Sequence, residues 1–206
     1  KANDTDRKIF RPRVVIGIPV GVTNVEMRAV YDAAKSAGAS SVYIVEEPMA
    51  AAIGVRMPIH EPVGSMMVDI GGGTTDIAVI ALSGVVRAKS LKVAGDKLTE
   101  DIIAYMRDEF KMLIGEKTGE YIKMTIGSAL PDENGEELSV KGRDLVTGLP
   151  REAVITDVDI REAMYNSISQ LVDAIREVLE TTPPEVLADI MQKGMTLSGG
   201  GALIRN

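Results

Sequence analysis

The sequence contains no cysteine. Disulfides and thiolate metal sites are therefore excluded, and a reducing cytosol is compatible with the chain. Tryptophan is also absent, and aromatic residues make up only 3%. The core must be aliphatic, with the 11 methionines helping to fill it. Charge is dispersed: the net charge is -7 and no Lys/Arg cluster stands out. That excludes the basic footprint of a nucleic-acid-binding surface. No apolar run approaches the roughly 20 residues that span a bilayer. The opening "KANDTDRKIF" is polar, unlike a signal peptide, and lacks an initiator Met, so the chain is expected to be a piece of a longer one. The single histidine, His60 in "PIHEP", reads as a surface residue without a role.

What is present is a globular composition. The 206 residues are 45% hydrophobic and 26% charged, enough for a real core in one large domain or two small ones. "RVVIGIP", Arg13 to Pro19, predicts a buried strand. Thr23 and Glu26 form a capping-box signature for a helix carrying Met27, Val30, Tyr31, Ala34 and Ala37 at helical spacing, with Gly38 as its stop. "VYIVEE", Val42 to Glu47, predicts a second strand, and Pro48 suits the first turn of the helix "PMAAAIGV". Strand, helix, strand in that order implies parallel pairing with a right-handed crossover.

From Ser65 to Val93 the pattern changes to consecutive strands, "SMMVDI", "DIAVIAL" and "VVRAKSLKV", joined by short turns as an antiparallel meander. Asp96 is expected to cap the helix "KLTEDIIAYMRDEFKML". A second helical stretch, "GEKTGEYIKMTIG", follows Gly115. Residues from about Ser128 to Val158 are turn-rich ("PDENGEE", "TGLPRE") with short β-like pieces, and read as a small inserted subdomain. A long helix with Ile160, Met164, Ile168, Leu171, Ile175 and Val178 on one face comes next. A further helix restarts at the prolines of "TTPPEV". "GMTLSGGGALIRN" reads as strand, glycine turn and the beginning of a helix.

Three places carry chemistry. "DIGGGTTD" puts Gly71, Gly72 and Gly73 between two strands, flanked by Asp69 and Asp76. Glycine lets backbone approach a ligand, and successive N–H groups in a turn form an anion nest. Thr74 and Thr75 add hydroxyl donors. Carboxylates beside a bound phosphate make sense with Mg²⁺ or an attacking water between them. A hairpin turn with glycine for positive φ and aspartate for capping fits the same letters. The stretch is neither a P-loop, which needs GxxxxGK[ST], nor a dinucleotide fingerprint, which runs from strand into helix. The second cluster, Gly199, Gly200 and Gly201 in "LSGGGALIR", ends a strand and allows close approach to a nucleotide; a tight strand-to-helix turn explains it equally. Glu47 in "EEPMAAA" stands at a strand end, where open α/β sheets keep ligands and a carboxylate can orient water. A glutamate favoured by the helix dipole is the alternative.

Taken in order, "VVIGIPVGVTNVEMRAVYDAAKSAG", "VEEPMAAAIG", "VDIGGGTTDIAVI", "AGDKLTEDI" and "LSGGGALI" resemble the actin-like ATPases, the superfamily of actin, heat-shock chaperones and sugar kinases. "IGEKTGEYIKMTIG", "VKGRDLVTGLPR" and "LETTPPEVLADIMQKGMTLSGGGALIR" are similar to the MreB family of bacterial actin homologues. A chaperone would show Asn-Glu-Pro in place of Glu46-Glu47-Pro48 and an aromatic in place of Thr75. The resemblance runs from about Arg11 onward.

The resemblance implies an α/β, actin-like (ribonuclease H-like) ATPase fold: a mixed sheet flanked by helices, with a small inserted α+β subdomain. It divides the chain into residues 1–60 (subdomain IA), 61–115 with 159–206 (IIA), and 116–158 (IIB). It makes "DIGGGTTD" a second phosphate loop, with Gly71 to Thr75 around the β- and γ-phosphates and Asp69 holding Mg²⁺ through water. Glu47 would polarise the attacking water, assisted by Thr74 and Asp76. Gly199, Gly200, Gly201 and Ala202 would form the adenosine loop. Glu116, Lys117, Thr118, Gly119 and Glu120 would face adenine and ribose, and Gly95 and Asp96 match a neighbouring family motif. The implied ligands are ATP, ADP and Mg²⁺, and the implied reaction is slow ATP hydrolysis coupled to filament formation. The implied partners are further copies of itself and membrane-associated cell-shape and wall-synthesis proteins, with no nucleic acid, in cytoplasmic filaments at the membrane. A phosphotransferase or chaperone-type ATPase of the same superfamily, or a non-catalytic scaffold, remain the alternatives. The family's first phosphate loop, of the form Asp-hydrophobic-Gly-Thr-x-Asn, its far C-terminal elements and an N-terminal amphipathic membrane helix do not occur in this sequence.

Overall fold

Extended β-branched residues and a capped helix build the first part of the chain. The computed structural model describes residues 11–131 and 135–205. The opening decapeptide and residues 132–134 of the "PDENGEE" turn lie outside the described residues. Strand β1 (Arg13–Ile18) pairs in parallel with β2 (Ser41–Glu46), in the register Val15↔Tyr43. Between them runs α1 (Asn24–Ser36), whose start is the predicted capping box. The Thr23 hydroxyl accepts from the Glu26 N–H at 3.3 Å, and the Glu26 carboxylate accepts from the Thr23 N–H at 2.9 Å. Gly38 ends the crossover at φ +100, where any side chain would be strained. No residue of α1 is buried: Met27 and Tyr31, from its apolar stripe, are 36% and 39% exposed. Capping rather than burial therefore defines this helix. Helix α2 (Glu47–Gly54) starts one residue earlier than expected, so Glu47 is helical and Pro48 stands in the first turn.

Strands β3 (Ser65–Ile70), β4 (Thr75–Ala81), β5 (Gly84–Leu91) and β9 (Met195–Ser198) form a sheet of order β5-β4-β3-β9. The β3–β4 and β4–β5 connections are too short for anything but hairpins. Met66, Met67, Val68 and Ile77 to Ile80 are buried, so these strands read as continuous apolar runs.

Contacts divide the chain into two units. The first runs to Met67 and adds Asp76–Ser90 and Thr182–Met195. Ala52, Ile59, Met67, Ala78 and Ile80 are its core, and α6 (Pro184–Lys193) belongs to it. The second takes Val68–Thr75, Leu91–Thr181 and everything from Thr196. It holds α3 (Gly95–Asp108), β6 (Met112–Leu113), α4 (Glu116–Ile126), β7 (Glu137–Asp144), β8 (Pro150–Thr156) and α5 (Asp157–Glu180). Leu98, Ile102, Met106, Ile122, Ile126, Ile160 and Met164 pack there as one core with Met112, Val140 and Ile155 from the strands.

Three expectations need correction. The helix expected to run through Met112 and Leu113 stops at Asp108, because Lys111 turns the chain at φ +52 and Met112 and Leu113 pair with Asp144 and Arg143 of β7. Asp96 does not cap it either: Ala94 is the cap residue, without a side-chain bond, and Asp96 lies in the first turn. In α5 the buried seam is Ile160, Met164, Ser167, Leu171, Ala174 and Val178. Ile168 and Ile175 are half-buried beside it. Ser167 takes a seam position because its hydroxyl donates to Asp101 of α3.

Candidate functional site

The glycine turn Gly71–Gly73 joins β3 to β4 in the second unit. The Gly71 N–H donates to the Thr74 carbonyl at 2.9 Å and closes the turn. None of the three glycines has a positive φ, so conformational freedom does not explain them. A side chain on Gly71 or Gly72 would press on Thr74 or Asp96, but one on Gly73 would meet nothing within 4 Å. The structure itself gives no reason for glycine at 73.

Helix α3 leans on the same turn. The N–H groups of Gly95 and Asp96 donate to the carbonyls of Gly71 (3.0 Å) and Gly72 (2.8 Å). Two of the free donors at the start of α3 are thus satisfied by the turn's carbonyls. The N–H groups of Gly72, Gly73 and Thr74 have no acceptor among the described residues. Thr74 is half-buried, while Thr75 is fully buried and its hydroxyl donates to the Val93 carbonyl at 2.7 Å. The Thr75 hydroxyl, expected to be a donor to a ligand, is instead spent inside the fold.

The second glycine cluster packs against the end of β3. Gly199 has φ +84, and a side chain there would lie 2.2 Å from the Ile70 carbonyl oxygen; at Gly201 it would lie 2.3 Å from Ile70 Cγ2. Ser198 Oγ donates to Asp69 Oδ1 at 2.7 Å. Asp69, the first glycine turn and the second therefore meet at one edge of this unit. After Gly199 the chain makes a 3-10 helix, Gly200–Leu203, rather than an α-helix. Gly200 meets nothing within 4 Å and has no positive φ, which repeats the situation at Gly73.

Helix α4 supplies the third wall. Glu120 accepts from Thr99 Oγ1 at 2.7 Å and lies 2.6 Å from Lys123 Nζ. Burial pushes the Glu120 carboxyl up, but the hydrogen bonds from Lys123 and Thr99 and the ammonium charge outweigh it and hold the group below the usual carboxylate range. Lys123 is 8% exposed and also donates to the Gly95 carbonyl at 2.8 Å. Sequence reading missed Lys123. Its signal is a lysine in the stripe Gly119, Ile122, Lys123, Ile126, where α4 buries its side chains. Gly119 faces α3: a side chain there would fall 2.9 Å from Ile103. Glu116 and Lys117 border a neighbouring groove with Glu100 and Ile103, and Thr118 is half-buried with its N–H on the Gly115 carbonyl. Of the stretch 116–120, Glu120 alone lines the cleft between the glycine turns.

That cleft measures about 330 Å³. Its lining includes Gly71, Gly72, Asp96, Glu120, Lys123 and Arg205. The glycine turn offers backbone donors, Glu120 a carboxylate, and Met124 and Leu203 apolar side chains exposed at 74% and 84%. A larger hollow of about 720 Å³ lies between α3 and α5. Its walls carry Asp101, Asp108, Glu109 and Glu162, which repel phosphate. No cluster of three metal-ligating side chains occurs among the described residues. Mg²⁺ bound with nucleotide needs only one or two carboxylates beside the phosphates, and Asp69 and Asp96 fit that role.

Glu47 and Asp76 belong to the first unit. The Glu47 stem packs over Gly17 of β1, with Cγ 3.1 Å from where a side chain on Gly17 would start. Asp76 is 1% exposed, and its Oδ1 accepts from the Val20 N–H at 2.9 Å. Asp76 thus fastens the segment after β1.

The family described as MreB/Mbl protein matches residues 1–206. The cell shape-determining protein Mbl of Bacillus subtilis (strain 168) is 47% identical over 194 residues, covering 94% of this chain and 58% of that protein. The cell shape-determining protein MreB of Escherichia coli (strain K12) is 49% identical over 195 residues, covering 95% of this chain and 56% of that protein. The crystal structure of MreB 5 of Spiroplasma citri bound to AMPPNP superposes with a TM-score of 0.90 at 45% identity, covering 94% of this chain and 58% of that one. The chain thus spans less than two thirds of these relatives, and its mixed α/β fold is actin-like. The chain belongs to the MreB/Mbl family.

Proposed function

We propose that the protein containing this chain binds and hydrolyses ATP and assembles with copies of itself into filaments that organise cell shape. The observation that carries the reading is the pair Gly73 and Gly200. Both are glycines with ordinary φ and open space where a side chain would go, and they stand on the two turns that meet at Asp69. The Spiroplasma relative, crystallised with AMPPNP, supports it.

In this reading the free N–H groups of Gly72, Gly73 and Thr74 hold the β- and γ-phosphates. Asp69, with Asp96 beside the turn, holds Mg²⁺ through water; the ion would neutralise developing charge on the phosphates. Glu47 orients the attacking water, and Thr74 assists. Asp76 assists by fixing the Val20 backbone. Gly199 to Ala202 receive the adenosine, and Glu120 accepts from the ribose. The division into residues 1–60, 61–115 with 159–206, and 116–158 is part of the same proposal. So are cytoplasmic filaments at the membrane and contact with cell-shape and wall-synthesis proteins.

The test is sedimentation of the full natural chain with and without ATP, with phosphate release measured in parallel. Pelleting and phosphate release that both require ATP support the reading. Turnover stimulated by a small acceptor would make it a phosphotransferase, and polymer without phosphate release a scaffold.

A further inference from the structure

Two arginines hold the base of the β7–β8 hairpin, and they differ in burial. Arg161 of α5 donates to Asp157 Oδ2 at 3.1 Å, to Ser128 Oγ at 2.9 Å and to the Leu130 carbonyl at 3.1 Å. The side chains of Arg161 and Asp157 are 17% and 4% exposed. The Asp157 N–H also donates to the Glu136 carbonyl at 2.9 Å, and its carboxylate accepts from the Glu136 N–H at 3.3 Å. Parting a pair this buried would strand a charge, so Arg161 is a fixed anchor. Arg205 is the opposite case. It stands two residues after the Gly200–Leu203 turn and lines the cleft. Its guanidinium grips both oxygens of Glu136, with Nη1 on Oε1 at 2.7 Å, and Nη2 reaches the Thr125 carbonyl at 2.7 Å. The two side chains are 40% and 41% exposed. A bidentate pair fixes direction, and one this open parts at little cost.

We propose that the Arg205–Glu136 pair is a latch through which occupancy of the cleft sets the orientation of the β7–β8 hairpin. The proposal rests on the nucleotide reading of the cleft. A nucleotide that fixes the Gly200–Leu203 turn fixes Arg205, and Arg205 holds Glu136, the residue before β7. The ladder begins one residue on, at Glu137↔Thr156, so the latch acts at the root of the hairpin. The far end is the turn after Asp144, where Val146 and Leu149 are exposed. A lever turned at its root by a small shift moves furthest at its tip. Arg161 stays closed meanwhile and serves as the pivot. The coupling is reciprocal: if nucleotide favours the closed latch, the closed latch favours nucleotide by the same factor.

The test uses the full natural chain with spin labels on cysteines at the exposed positions Val146 and Glu180, any cysteine outside residues 1–206 being replaced by serine. ATP is expected to narrow the label-to-label distance distribution in the otherwise wild-type protein. Glu136→Gln keeps the shape of the side chain and removes its charge. It is expected to abolish the narrowing and to lower ATP affinity about fivefold, the low end of coupling between two sites. Arg205→Met is expected to do the same, and Arg205→Lys, which cannot grip both oxygens, carries the test should Arg205→Met not fold. Glu136 does not line the cleft, so its effect on affinity reports the latch and not a lost ligand contact. Otherwise wild-type protein that binds no ATP overturns the nucleotide reading itself. Binding without narrowing, or narrowing that persists in folded Glu136→Gln, overturns the latch alone. An affinity loss in Arg205→Met that Glu136→Gln lacks makes Arg205 a direct ligand contact, which also overturns the proposal.

Discussion

Single residues divide here by what their neighbours leave free. Asp69 spends one oxygen on Ser198 and stands where the two glycine turns meet. Asp76, in the same eight-residue motif, is fully buried on the Val20 N–H. The motif made both aspartates legible but could not separate them, because alternate residues of a strand face opposite sides and the sequence does not name the neighbour. Asp69→Asn, which keeps an oxygen for Ser198, is expected to abolish phosphate release by the full natural chain and leave its melting curve unchanged; normal release would remove Asp69 from the metal. Glu47→Ala is expected to slow hydrolysis far more than it weakens nucleotide binding, as a steady-state rate beside an equilibrium titration would show. Equal losses would make Glu47 structural. Tyr105 gives a pH signature. Burial first, then the Asp159 and Glu162 carboxylates, push its hydroxyl up to about 12. The folded state holds that proton more tightly than the unfolded one, so this contribution is complete below pH 10 and is lost as pH rises toward 12. Tyr105→Phe should abolish that part of the alkaline unfolding curve.

Elements were legible where local chemistry decides them. The capping boxes of α1 and α5 show the two ways that happens. Thr23 and Glu26 were readable from spacing alone, whereas Thr156 with Asp159 makes the same reciprocal bonds from a pair outside the Glu/Gln pattern. Thr156→Ala is expected to cost about 1 kcal/mol, read from a denaturant midpoint. The end of α3 was not legible, because its stop is the pairing of Met112 and Leu113 with Asp144 and Arg143 of β7, 32 and 30 residues downstream. The α5 seam was read one position off at Ile168 and Ile175, because Ser167 is held inward by Asp101 on another helix. Gly199→Ala combines a left-handed φ with a 2.2 Å approach to the Ile70 carbonyl. It is expected to destabilise the second unit by about 1–3 kcal/mol and to weaken nucleotide binding more than Thr156→Ala does. A Gly199→Ala protein with wild-type melting and binding would contradict the placement of that turn.

At the scale of the whole molecule, order along the chain carried more than any one motif. Three glycines between strands fit either a hairpin or a phosphate cradle. The same glycines downstream of "EEP" and upstream of a second "GGG" turn indicated the actin-like fold, which the family match and the superposition on the Spiroplasma relative establish. What pattern could not supply was the division of labour within the cleft: a carboxylate from α4, a buried lysine behind it and the first turn of α3 pinned on the glycine carbonyls. Those contacts join residues up to 28 apart (Gly95 to Lys123), and period and composition do not encode them. Hydrogen exchange of the full natural chain, with and without ATP and Mg²⁺, tests the central claim most directly. The expected result is slowed exchange confined to the amides around Gly71–Thr74, the first turn of α3, Glu120–Met124 and Gly199–Leu203. Unchanged exchange in those four segments, or protection appearing instead in the acidic hollow between α3 and α5, would contradict the assignment of the cleft to nucleotide.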